Sequence, residues 1–466
     1  MECWYTNKPM RIVIIGAGPC GLGAANRLKE LGIEDFTVYD RNSYVGGLAS
    51  SFCDEKEFTW DFGVHVAHSH YTYVDRLMDA LLPDGFYHHQ RMSWVREYGR
   101  FIPYPFQYNI RHLPDTARQE CVDGLLAMEK HKAKGPPANF RDWILSTVGD
   151  GIAKHFMVPY NRKIWCVDPA EMNCQWLGDR VPVVDVQRVL RNIEQQKDDV
   201  SWGPNATFQF PKTGGTGAIW ESLADRVGRD RIRLSTELVS LDPQARTARF
   251  SDGTVEKYDH LISTMPLTRL TKLCGVDPIH RRAQGLRHTH VYVVGVAPEF
   301  PIPEPLKDKT WIYCPEDACA FYRVTPFSTF SPAHVPDINR YCSFLCEIST
   351  PWNKTHDRSA LIPATIEGLR AIGLVEVDPA KTHFHLMTAE YGYPIPTIDR
   401  DAILGDVLPA LEKMNIYSRG RFGGWKYEAA NMDHSIMQGV EAVDRIVNGT
   451  PEVTLPSPSV VNAGKN

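Results

Sequence analysis

The chain has 466 residues, with 51 Lys and Arg against 56 Asp and Glu, and its formal net charge is −5. That balance offers no bulk attraction to nucleic acid, so any anion site must be local and built from a few arginines; the length predicts two or three domains. Eleven scattered cysteines without a Cys-x-x-Cys pair argue against a metal centre, and no stretch approaches the roughly 18 apolar residues of a membrane span.

The opening MECWYTNKPM lacks the basic start and apolar core of a secretion signal. With the free thiols, this predicts a cytoplasmic protein. Ile12–Ile15 is a β-branched run suited to a buried parallel strand, and Gly16, Gly18 and Gly21 follow as G-x-G-x-x-G. Leu22, Ala25, Leu28 and Leu31 then recur at helical spacing. A second strand, FTVYD, ends at Asp40, where an acid can bind ribose hydroxyls. Strand, glycine turn, helix and acid in register predict a dinucleotide site with its pyrophosphate on the helix N-terminus. Gly46 and Gly47 follow Asp40 closely, and this acid-plus-GG pattern resembles the FAD-binding fold of glutathione reductase and amine oxidase type.

Residues 111–200 carry helical patterns and charge, with KGPPANF as a loop between helices. Strand-like runs return at RIRLSTELVSLD, TARFSDGTVEKYDHLISTM, VYVVGVA and RYCSFLCEIS; SDGT at 251–254 reads as a hairpin turn, and HLISTMP as a strand rejoining the nucleotide-binding sheet. Near the C-terminus, SRGRFGGWKYEAANMDHS leads through a glycine-rich loop into a helix starting near Asp433, whose N-terminus would point at the cofactor. The last dozen residues read as frayed. The expected fold is α/β: an FAD-binding Rossmann-like domain (1–89 with 228–286 and 397–466), an inserted helical substrate or lid domain (111–206), and a mixed or antiparallel sheet domain (90–110 with 207–227 and 287–396).

The stretches GVHVAHSHYTYVD, YPFQYNI, FMVPYNRKIW, WLGDRVP, WGPNATFQFPKTGGTGAIW, FYRVTPFSTFSP, GYPIPT and SRGRFGGWKYEAANMDHS, in this order, resemble the eukaryotic, fungal-type UDP-galactopyranose mutases. The resemblance implies FAD and a UDP-sugar, whose galactopyranose and galactofuranose forms interconvert through a reduced-flavin N5–sugar adduct without net redox change. NADPH or NADH would be the reductant. It implies Arg180 and Arg323 as pyrophosphate arginines and His65 as a histidine packed on the flavin. Tyr313, Tyr393, Tyr427 and Asn431 would contact the phosphates; Tyr104, Phe106, Gln107, Phe156 and Asn161 the uracil; Asn205 the ribose or sugar. Cofactor contacts would come from Gly16, Gly18, Gly21, Asp40, Gly46, Gly47, Leu48, Gly63, Val64, His65, Val239, Arg421, Met432 and Ser435. Tyrosines donate hydroxyls to an anion without adding charge, and an aromatic face stacks a base while an amide reads its edge.

Val64, Ala67, His68 and Phe330 depart from the family pattern on the sugar side, as do Ala430 and Met432 in the C-terminal loop. A β-branched Val64 is expected to stiffen the backbone before His65, and Phe330 to lack a hydroxyl donor. The sugar could therefore differ from galactose. A flavin oxidase or desaturase is the alternative of another class, and oligomeric state stays open.

Overall fold

The computed structural model describes residues 10–131, 135–178, 184–200 and 206–465. Ile12–Ile15 lies in the middle of a five-stranded parallel sheet, in the order Ile416–Ser418, His260–Ser263, Ile12–Ile15, Phe36–Tyr39, Ile232–Arg233. Buried on both faces, the first strand is apolar at every position, as a central parallel strand requires. The expected return of HLIS to this sheet is realised, and Thr247–Phe250 and Val255–Lys257 form the hairpin expected around SDGT.

Helix Pro19–Glu30 follows the glycine turn and packs on the C-terminal helix Met432–Asn448. The two approach closely enough that a Cβ at Gly439 would lie 2.1 Å from the Cys20 carbonyl oxygen. Chain segments more than 400 residues apart thus form one packed unit. The sequence reading groups 207–227 with the mixed sheet. Instead, helix Gly217–Val227 buries Ile219, Trp220, Leu223 and Val227 in the core around the parallel sheet, because its apolar stripe faces helix Pro19–Glu30.

A second, seven-stranded sheet runs in the order Thr382–Pro394, His288–Pro298, Phe344–Pro351, Arg323–Pro326, Trp311–Tyr313, Ser93–Glu97, Arg100–Pro103. It is antiparallel except where Trp311–Tyr313 runs parallel to Ser93–Glu97. Helices Asp115–Lys130, Phe140–Ile152, Val158–Trp165 and Val186–Glu194 share a core with one face of this sheet. The end of the chain is more ordered than its composition implies: Pro458–Asn462 is helical, Val461 is buried, and Asn462 Nδ2 donates to the Glu428 carbonyl at 3.0 Å. No helix among the described residues is long and apolar enough to cross a membrane.

Candidate cofactor and substrate site

A cavity of about 530 Å³ opens where the parallel sheet, the C-terminal loop and strand Thr382–Pro394 meet. At one end the backbone makes the walls. Gly16 adopts φ +105°, and a Cβ at Gly21 would lie 1.8 Å from the Gly16 carbonyl oxygen, so the turn admits no side chain there. Helix Pro19–Glu30 starts at Gly18 without a side-chain cap, leaving its first amides facing the cavity. Asp40 accepts hydrogen bonds from the amides of Ala17 (2.7 Å) and Asn42 (2.8 Å). Burial pushes its carboxyl above the usual range against those bonds.

At the other end, helix Met432–Asn448 also starts without a side-chain cap, at Asn431, and Asn431, Met432 and Ser435 line the cavity. Asp433, fully enclosed, accepts the His70 amide at 3.0 Å and contacts its ring Nδ1 at 2.8 Å, tying this helix start to the loop after His65. Burial opposes ionisation there, but the His70 hydrogen bonds and the neighbouring histidines hold the carboxyl low. Two uncapped helix N-termini, a glycine turn with no room for a Cβ and a buried acid at the end of the second strand fit a dinucleotide with a pyrophosphate.

Of the cofactor residues expected from the sequence, Gly16, Gly18, Asp40, Gly47, Leu48, His65, Arg421, Met432 and Ser435 line this cavity. Gly21, Gly46, Gly63 and Val64 stand beside it in the supporting turns. Val239 is misplaced. Its side chain is 43% exposed, and Leu238 lines the cavity, because the strand Leu238–Asp242 turns alternate side chains to opposite faces. In the same loop the positive φ, +131°, falls on Gly63, one residue before Val64.

His65 projects between cofactor cavity and substrate side. Burial, with Arg421 and Arg323 nearby, pushes its imidazole down to about 3, so it stays neutral at working pH. Arg421 donates to the carbonyl of Gly392 (2.9 Å from Nη2) and lies over the Tyr393 ring at 5.0 Å. No carboxylate among the described residues pairs with it, so its charge is left for a ligand. Arg323 is held differently. Its Nε and Nη2 each donate at 2.7 Å to Glu347, which is 2% exposed, leaving the Nη1 edge unused by this clamp. The Tyr322 hydroxyl donates to the same carboxylate at 2.6 Å and lies 3.3 Å from the Tyr393 hydroxyl.

Tyrosines and a tryptophan close the substrate side. Tyr427 and Tyr393 have ring centroids 6.0 Å apart and both contact Trp165; Tyr313 lies 5.3 Å from Tyr104 and 5.3 Å from Tyr160. Phe156 stacks between Phe106 and Tyr160. Phe106, Gln107 and Asn161 are buried: Asn161 Nδ2 donates to the Met157 carbonyl at 2.7 Å, and its Oδ1 accepts from Trp165. Phe330 is fully packed among Phe208, Phe210 and Trp311, so its missing hydroxyl belongs to an aromatic core. Ala67 is bridged to Gln209 and His68 lies 5.1 Å from His70. Arg180 and Asn205 lie outside the described residues, as does part of the stretch expected to act as a lid.

Sequence reasoning missed Glu347, Tyr322, Tyr160, Trp165, Asp61 and Thr216. Glu347 alone had a legible signal, an acid inside the apolar strand FLCEISTP. Partnered acids of that kind are rare in strand interiors.

A family profile described as flavin containing amine oxidoreductase matches residues 19–297. A crystal structure of reduced UDP-galactopyranose mutase is 41% identical, with a TM-score of 0.94 over 98% of both chains. The dTDP-fucopyranose mutase of Escherichia coli is 27% identical over 190 residues, 37% of this chain and 46% of that protein. The zeta-carotene desaturase of Arabidopsis thaliana is 34% identical over 74 residues, 16% of this chain and 13% of that protein. The chain thus matches less than half the length of each of these two curated relatives.

Proposed function

The chain belongs to the flavin-containing amine oxidoreductase family, among the UDP-galactopyranose mutases, and from that premise we propose that it interconverts UDP-galactopyranose and UDP-galactofuranose. FAD would be held by the turns at Gly16–Gly21 and Gly46–Gly47, by Asp40 and by the start of helix Met432–Asn448. When bound and reduced, it supplies a nucleophile for the anomeric carbon without net oxidation of the sugar.

The observation that carries this reading is the pairing of two differently held arginines beside His65, at the junction of the cofactor cavity and the tyrosine cluster. The departing group is a diphosphate. Arg421 brings an uncompensated positive charge, and Arg323, fixed by Glu347, presents its remaining N–H edge. Both favour an anion, and more strongly as negative charge gathers on the leaving oxygen. The hydroxyls of Tyr313, Tyr393 and Tyr427 add donors without charge. Neutral His65 can donate from one ring nitrogen and accept at the other, so it orients groups at the cofactor face without adding charge. Arg180 and Asn205 would complete the diphosphate and sugar contacts, and NADPH or NADH would keep the cofactor reduced in a cytoplasmic setting.

Turnover of UDP-galactofuranose by dithionite-reduced protein, followed by chromatography, tests the proposal. Conversion to UDP-galactopyranose by reduced but not by air-oxidised protein is expected. No conversion after reduction, or equal turnover under air, overturns it. A different nucleotide sugar is the second reading, favoured by Ala67 and His68 and by the likeness to a dTDP-fucopyranose mutase. Higher kcat/KM for another sugar nucleotide in the same assay would select it.

A further inference from the structure

Asp61 ends the strand Thr59–Asp61 and is fully buried beneath the loop that carries His65. Its Oδ1 faces the hydroxyl of Ser51, which itself accepts the Gly217 amide at 2.7 Å. Its Oδ2 lies 2.8 Å from Thr216 Oγ1, and the same Oγ1 lies 2.8 Å from the carbonyl oxygen of His65. Thr216 is also fully buried, out of reach of bulk water.

The hydroxyl of Thr216 has one proton and faces two acceptors. The Thr216 amide also donates to Oδ2, at 3.3 Å, yet if Asp61 is ionised the single hydroxyl proton serves either Oδ2 or the His65 carbonyl, and the other 2.8 Å contact sets two oxygens face to face with no proton between them. If Asp61 is neutral, every group is satisfied. Its Oδ2–H donates to Thr216 Oγ1, the Thr216 hydroxyl donates to the His65 carbonyl, and the Ser51 hydroxyl donates to Oδ1.

We propose that Asp61 is a positioning residue that works in its neutral form, passing its proton's direction through Thr216 to fix the backbone of His65. Its bearing on catalysis rests on the mutase reading, in which His65 faces the cofactor. Ser51, Gly215 and Thr216 surround the carboxyl, and no charged side chain acts on it. The adjoining titratable group, the His65 ring, is turned toward Arg421 and Arg323. Burial outweighs the hydroxyl and amide hydrogen bonds and pushes Asp61 up to about 6. Because the folded value lies above the unfolded one, this group's contribution to stability is complete below the unfolded carboxylate range. It is lost as pH rises through about 6.

The test uses the FAD-loaded protein and the variants Asp61→Asn, Thr216→Ser and Thr216→Val, with thermal midpoint and steady-state turnover followed over roughly pH 5 to 8. Asparagine offers a permanent donor in place of the carboxylic proton. The parent's midpoint and kcat/KM should fall, relative to Asp61→Asn, as pH passes about 6. Thr216→Ser should behave as the parent, whereas Thr216→Val should lose about tenfold in kcat below about pH 6, where the relay is intact, with the gap to the parent narrowing above it. Identical pH profiles for parent and Asp61→Asn, or an unchanged kcat in Thr216→Val, would overturn the proposal. The thermal comparison needs no substrate, so absent turnover in all variants counts against the mutase reading and leaves the pH slope to judge Asp61. If Asp61→Asn does not fold, the serine and valine pair decides alone.

Discussion

The two ends of the site are made of different material. The cofactor end is backbone: glycines without room for a Cβ, amides at two helix starts, and one acid held by amides. The substrate end is side chains, brought by helix Val158–Trp165, by four strands of the second sheet and by the C-terminal loop. Backbone sites tolerate few residue types at fixed spacing. Side-chain sites tolerate drift in the surrounding sequence, provided the clamps that hold each group survive. The cofactor end should therefore fail abruptly, and the substrate end by degrees.

Gly21→Val gives the largest effect. The new side chain would collide with the Gly16 carbonyl, and the protein should purify without its yellow flavin absorbance and resist reconstitution. Full flavin content in this variant would break the contrast. Next comes Arg421→Ala, which removes the cation that has no carboxylate partner. A loss of about 1.5–3 kcal/mol in binding, or roughly ten- to a hundredfold in the Kd for UDP, is expected by calorimetry. Glu347→Gln keeps shape but releases one arm of the Arg323 clamp, so a smaller change is expected, roughly tenfold in KM with flavin content intact. If Glu347→Gln weakens UDP more than Arg421→Ala, the clamp outranks the free charge and the comparison must be redrawn.

The smallest effect lies away from both ends. Glu97, on the strand Ser93–Glu97, is buried, and that burial with Glu316 nearby pushes its carboxyl up to about 8. Its stability contribution is complete below the unfolded carboxylate range and is lost as pH rises through about 8. Glu97→Gln should therefore raise the thermal midpoint by a few degrees at alkaline pH and change it little in acid, with turnover unaltered.

What could be read in advance follows the same division. The strand–turn–helix around Gly16–Gly21, Asp40 as its acid and the return of HLIS to the sheet were legible, because local backbone geometry dictates residue type there. The tyrosines and Arg323 of the substrate side were reached through resemblance alone, which assigns Arg421 to the cofactor, since Tyr313, Tyr393 and Tyr427 have no local pattern separating them from core packing. The groups that hold them were not reached at all. Glu347 meets Arg323 across adjacent strands, and Asp61 meets Thr216 from 155 residues away along the chain, pairings that only the folded chain displays. Val239 and Phe330 show the opposite error, a side chain assigned to the site that the strand or aromatic core turns elsewhere.

The place of Ile12–Ile15 in the middle of its sheet has a consequence for biogenesis. This strand is synthesised about 400 residues before Ile416–Ser418 and helix Met432–Asn448, and must wait for both before the sheet closes and the helix docks. Until then its apolar faces lack their native cover, a demand on chaperones that comes from topology alone.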